Sequence, residues 1–141
     1  MIPALLLTLQ VAATPMSGLP IDALPTQALP ARGCAAYLFA RGEKPVFLAM
    51  AAADPAQLRL SLGGKVIDVA RTGQSGAGGF GFAATTDYAG EGVSAVLDMA
   101  IETRADLTGG AAVREATLRI DRAGQDSVVL PLAGIVGCAA Q

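Results

Sequence analysis

The feature that most restricts this chain is a period of two. From Cys34 onward, short apolar stretches alternate with polar positions, and glycines punctuate them. Alternation puts successive side chains on opposite faces of an extended backbone, so it selects strands over helices. Strands are predicted near 34–40, 45–51, 57–62, 65–71, 79–86, 93–104, 113–122 and 126–138.

The turns predict pairings. Gly63-Gly64 suits a two-residue hairpin loop, in which both positions adopt positive φ. Centring there sets Leu60 against Ile67 and Leu58 against Val69 on one face, with Arg59 against Asp68 on the other. Centring on Gly109-Gly110 sets Ile101 against Leu118 and Met99 against Ile120, with Arg104 against Glu115. A turn at Ala123-Gly124-Gln125 sets Ile120 against Val128 and Leu118 against Leu130 and brings Arg122 near Asp126, while Arg41–Lys44 turns between the first two strands. Pro131, within the last strand, predicts a bend or a partial edge, because proline donates nothing to a ladder. The one helical prospect is Met50–Leu58, where Asp54 would cap a single turn and Pro55 would open it.

Cys34 opens the first predicted strand and Cys138 closes the last. An up-and-down run of eight strands brings those two points to the same end, and one disulfide between them makes the terminal strands neighbours. The expected fold is therefore all-β: an antiparallel meander of about eight short strands forming a small barrel or sandwich, closed by Cys34–Cys138.

Ahead of this domain (34–141) stand two other segments. Residues 1–13, MIPALLLTLQVAA, carry a ten-residue apolar run followed by small residues, the pattern of a cleaved secretory signal, although without a lysine or arginine before it. Residues 14–33 place Pro15, Pro20, Pro25 and Pro30 at intervals of five and repeat Leu-Pro-x-x-Ala. Such spacing predicts an extended linker, either a spacer or a segment whose leucines dock on a sheet edge. The expected location is secreted or periplasmic, consistent with a disulfide.

Composition then narrows function. Histidine is absent, so no Ser-His-Asp or Cys-His site exists within the chain, and two cysteines without histidine do not make a zinc centre. A net charge of −2 with no basic patch argues against nucleic acid. The 52% apolar content is spread over short runs, so no membrane-spanning segment is expected in the body of the chain. No catalytic, metal or cofactor-binding residue is predicted.

The candidate binding loops are two. Gly73-Gln74-Ser75-Gly76 opens a glycine-rich stretch running to Gly81, able to present backbone N–H groups, but it lacks the lysine of a P-loop and the helix of a dinucleotide site. Asp87, Tyr88 and Glu91 are read as a glycine-containing loop able to touch a cation, without a calcium-loop pattern. Asp98 and Glu102 share a strand face but stand about 13 Å apart, too far for a glycosidase pair. By elimination, the expected function is that of an exported, non-catalytic β-domain binding a protein or cell-envelope component. The alternatives are a carrier holding a small apolar ligand inside the barrel and, behind it, a histidine-free hydrolase.

Overall fold

The structure, a computed structural model, describes residues 21–140. The expected signal (1–13) and the first part of the linker (14–20) lie outside the described residues. Eight antiparallel strands follow in order: β1 Cys34–Ala40, β2 Phe47–Ala53, β3 Ala56–Leu62, β4 Lys65–Ser75, β5 Thr85–Gly90, β6 Val93–Glu102, β7 Gly110–Arg122 and β8 Val128–Cys138. Each pairs with its neighbour in sequence, and β8 returns to β1, so the sheet is a closed barrel. The Cys34–Cys138 disulfide joins the start of β1 to the end of β8.

Alternation fills the interior. Ala36 and Leu38, Leu58 and Leu60, Ile67 and Val69, Leu97 and Met99, Leu118 and Ile120, and Leu130 and Leu132 all point inward and are buried. With few large rings in the chain, aliphatic side chains close a barrel of this size. At the disulfide end, the loop 76–84 covers the opening. Phe82 turns into the core and its N–H donates to Gly79 O at 3.0 Å. The loop must be glycine-rich to do this: a Cβ at Gly78 would lie 2.0 Å from Phe82 O, and Gly81 sits at φ 88 against Ala53.

Two predicted registers stand as read. Gly63-Gly64 turns with φ 58 and 79, and Leu60–Ile67, Leu58–Val69 and Arg59–Asp68 are partners. The β7–β8 hairpin pairs Ile120 with Val128 and Leu118 with Leu130.

Other readings are corrected. In the β6–β7 hairpin, Ile101 meets Val113, Met99 meets Ala116 and Leu97 meets Leu118. The loop runs from 103 to 109 rather than turning on Gly109-Gly110. The displacement is four positions as far as Ala100, an even number, and a bulge between Ala100 and Ile101 takes up the fifth at Ile101, so the inward residues stay inward. Arg104 consequently pairs with Asp106 at 3.1 Å, and Glu115 faces Arg41. The stretch 79–84 is the covering loop, not strand, and β5 begins at Thr85. Met50–Leu58 holds no helical turn: Ala53 pairs with Ala56 across a tight turn at Asp54-Pro55. Alanine's helical preference yields there to pairing on both sides of β2. Pro131 does lie at a local edge. β1 pairs with β8 only as far as Leu132, so Val128–Pro131 have β7 on one side and no strand on the other.

The described part of the proline-spaced segment, residues 21–33, is extended and packed. Ile21 is fully buried in the barrel core. Asp22 N–H donates to Ser61 O at 2.8 Å, and its carboxylate accepts from Gly64 N–H at 2.6 Å. Leu24 N–H donates to Phe47 O, Gln27 accepts from Arg59, and the Tyr37 hydroxyl donates to Ala28 O at 2.9 Å. Residues 21–33 thus form a strap along the outer face of β2 and β1, ending where Ala139 N–H donates to Gly33 O. Its first residues pair on the edges that β3 and β2 leave open beyond Ala49–Leu60, with Asp22 bridged to Ser61, and the rest lies on the sheet face.

Two stability outcomes follow. The disulfide closes a span of 104 residues; replacing both cysteines with serine should lower unfolding free energy by about 4 kcal/mol, read as a fall in denaturant midpoint. Ile21→Ala should cost about 2–4 kcal/mol, whereas Leu29→Ala, at a side chain 59% exposed, should cost under about 0.5 kcal/mol.

Candidate functional site: an apolar outer wall

A soluble barrel with a filled interior turns its outward positions to water, and five strands here do so. Outward Arg59, Asp68, Asp87, Asp98 and Arg119 mark β3, β4, β5, β6 and β7 in turn. The remaining three strands differ. Outward positions are Val129, Pro131, Ala133, Ile135 and Gly137 on β8, Ala35, Tyr37 and Phe39 on β1, and Phe47, Met50 and Ala52 on β2. None carries a charge. Three of the chain's six aromatic rings stand on this wall, with Phe39–Phe47 centroids 5.2 Å apart and Tyr37–Phe47 6.0 Å apart.

The strap covers part of it. Leu24 is buried among Ala35, Met50, Tyr37 and Phe47. Its Leu29 lies over Gly137, where a Cβ would come within 2.8 Å of the leucine. Burial raises the Tyr37 phenol above its ordinary pKa. Beyond the strap the wall is open: Val129 is 59% and Ile135 53% exposed. A shallow hollow of about 490 Å³ lies on it, lined by Phe39, Ala40, Pro45, Ala133 and Gly134 among others. Polar groups border it on both sides, Arg41 from the β1–β2 turn and the others from β7 and its turn to β8. Arg41 faces Glu115 at 3.9 Å, and Arg119 and Ser127 both reach Asp121, whose carboxyl the Ser127 hydroxyl and then Arg119 hold below the usual range.

The sequence-predicted loop residues converge only in part. Gly73 lies opposite Asp87, Ser75 lies opposite Thr85, and Gly76 begins the covering loop at φ 80, so these stand together on the exposed β4–β5 surface near the disulfide end. Asp87 and Tyr88 are strand residues, not loop residues, and point to opposite faces of β5. Glu91 sits in the β5–β6 turn at φ 53, at the other end of the barrel. Asp87, Tyr88 and Glu91 therefore do not form one cation-binding loop. Among the described residues, no three Cys, Asp or Glu side chains are grouped to hold a metal ion.

Tyr88 is a buried polar feature of the interior. With Thr86 it lines a void of about 10 Å³ beneath Phe82, room for at most one water molecule. Arg71 and Gln74, joined at 3.0 Å, stand at its rim. Burial pushes the Tyr88 phenol up to about 12, opposed by a Thr86 hydrogen bond and the Arg71 charge.

Alternation does not mark the wall in the sequence. Its signal is the loss of alternation: CAAYLFA, FLAMAAA and VVLPLAGIVG are apolar at both parities, the pattern of strands covered on both faces.

Tyr88 carries a pH consequence. Its phenol ionises near 10 when unfolded and near 12 when folded, so the folded state holds its proton more tightly. Its contribution is full below pH 10 and is lost as pH rises toward 12, on the order of 2–3 kcal/mol in all. Tyr88→Phe should abolish that part of the alkaline fall in stability, as measured by denaturant titration from pH 9 to 12 with tyrosinate absorbance followed in parallel.

Comparison with protein families, with curated proteins and with solved structures finds no match to this chain.

Proposed function

We infer that this protein is an exported, non-catalytic β-barrel that binds another protein, or a cell-envelope component, through the outer wall of β8 and β1. The observation that carries the reading is the uncharged wall left partly open beside the strap, with Val129 and Ile135 both more than half exposed. Contiguous apolar surface of this kind marks interaction sites.

Four features support it. The interior is filled, with a void of about 10 Å³ against the several hundred a carried ligand needs. The apolar wall is one-sided: charged side chains on β3 to β7 break any lipid-facing girdle of the kind a membrane barrel carries. Among the described residues, no helix is long and apolar enough to cross a membrane. The Cys34–Cys138 disulfide is compatible with an extracellular or periplasmic location.

The test compares the protein with Val129→Lys and Ile135→Lys, both at exposed positions that tolerate the change. Immobilised on beads and exposed to an envelope extract, the unaltered protein should retain a partner that both variants lose about tenfold or more. Equal retention by all three overturns the reading. So does a hydrolytic activity of the purified protein that Asp87→Asn abolishes.

A further inference from the structure

The strap shows what kind of chain this wall accepts. It is extended and proline-spaced, with one leucine buried in a small apolar cluster and backbone hydrogen bonds at intervals, from Leu24 N–H to Phe47 O and from the Tyr37 hydroxyl to Ala28 O. The open part of the wall repeats those elements and is continuous with the strap's own contact surface. Its floor is Phe39, Ala133 and Ile135, and the hollow of about 490 Å³ between Phe39, Pro45 and Gly134 exceeds one leucine side chain. Backbone partners are at hand too, because β8 before Leu132 is paired on one side alone. One border is the protruding Leu29, and the other is the turn bearing Arg41 and Pro45.

We propose that this groove binds an extended, leucine-bearing, proline-spaced segment of another polypeptide, laid beside the strap. The proposal rests on the wall being an interaction surface and names its occupant. From Val129 to Ile135 the floor runs roughly 20 Å, the length of about six extended residues. That length holds one leucine and its flanking prolines at the spacing of five that the strap itself shows. A second copy of the barrel fits less well. Its wall is convex and meets the floor along a narrow line, whereas a single extended chain lies between the two borders. An added chain also supplies backbone donors and acceptors to the free half-edge of β8, as in strand addition.

The probe is a synthetic peptide of the strap's own sequence, LPTQALPARG, added to the isotope-labelled full chain. Amide shifts should saturate and cluster at Phe39, Ala133 and Ile135. Affinity should fall at least tenfold with Ile135→Lys or Val129→Lys, and likewise for a peptide with both leucines replaced by serine. Three results overturn the proposal: no saturable shift at millimolar peptide; shifts centred on Leu24 and Met50, which signal exchange of the strap; or the same shifts on concentrating the protein alone, which signal a second copy. If the peptide fails while wall-dependent capture from the envelope extract persists, the occupant is a folded partner and this proposal alone falls. If both fail, the wall reading falls with it.

Discussion

Closure of β8 onto β1 is the contact on which the rest of the structure depends. Seven consecutive pairs, from Cys34–Cys138 to Ala40–Leu132, join the two ends of the meander. Without them the sheet would expose two edges, and its alanine-rich strands would have little else to resist pairing with other chains. With them, every strand has two neighbours over most of its length, and the inward side chains meet across a common axis. The disulfide sits at one end of this seam and restricts the unfolded chain, so the covalent link and the hydrogen-bonded seam favour the same arrangement. The seam also has a limit. β1 runs out at Ala40, and the first residues of β8 continue without it.

That limit and the apolar wall occur together. β8, β1 and β2 carry uncharged residues outward as well as inward, which a barrel standing alone in water does not require. The strap answers part of the demand. It buries Leu24 against Met50 and Tyr37, inserts Ile21 into the core beside β3, and is tied by Arg59, itself held to Asp68 at 2.8 Å. What it leaves open is the surface from Phe39 across to Val129, flanked by the half-edge of β8. Apolar side chains, a hollow and unpaired backbone on one side of the barrel are the ingredients of a contact, while the opposite walls have the charges of a solvated surface.

Local signals made much of the fold legible. Two glycines in succession accommodate positive φ, and only one register of Leu58–Leu62 against Lys65–Val69 then buries both Leu58 and Leu60. The β7–β8 hairpin was legible for the same reason. The β6–β7 register was not. Bulges at Ala100/Ile101 and Val113/Ala116 absorb residues that a symmetric turn would have paired, and a slip of four conserves the faces, so alternation offers no objection to it. The covering loop misled for a related reason. Phe80-Gly81-Phe82 alternates like a strand, but Gly81 at φ 88 reverses the chain and delivers Phe82 into the barrel mouth. Among the candidate loop residues, Gly73, Ser75, Gly76 and Asp87 do come together, whereas Glu91 follows one further strand length and ends at the other side of the molecule.

The sequence by itself determined the strand class, most turns, the antiparallel order and the disulfide that joins its ends, because period, glycine placement and cysteine position act over a few residues or through a single covalent bond. Tertiary structure alone decided that the sheet closes as a barrel rather than folding as a sandwich, that residues 21–33 lie on the wall, and that one side of that wall stays apolar and open. Those outcomes depend on which faces meet across the molecule, and a face acquires a neighbour only once all eight strands are in place.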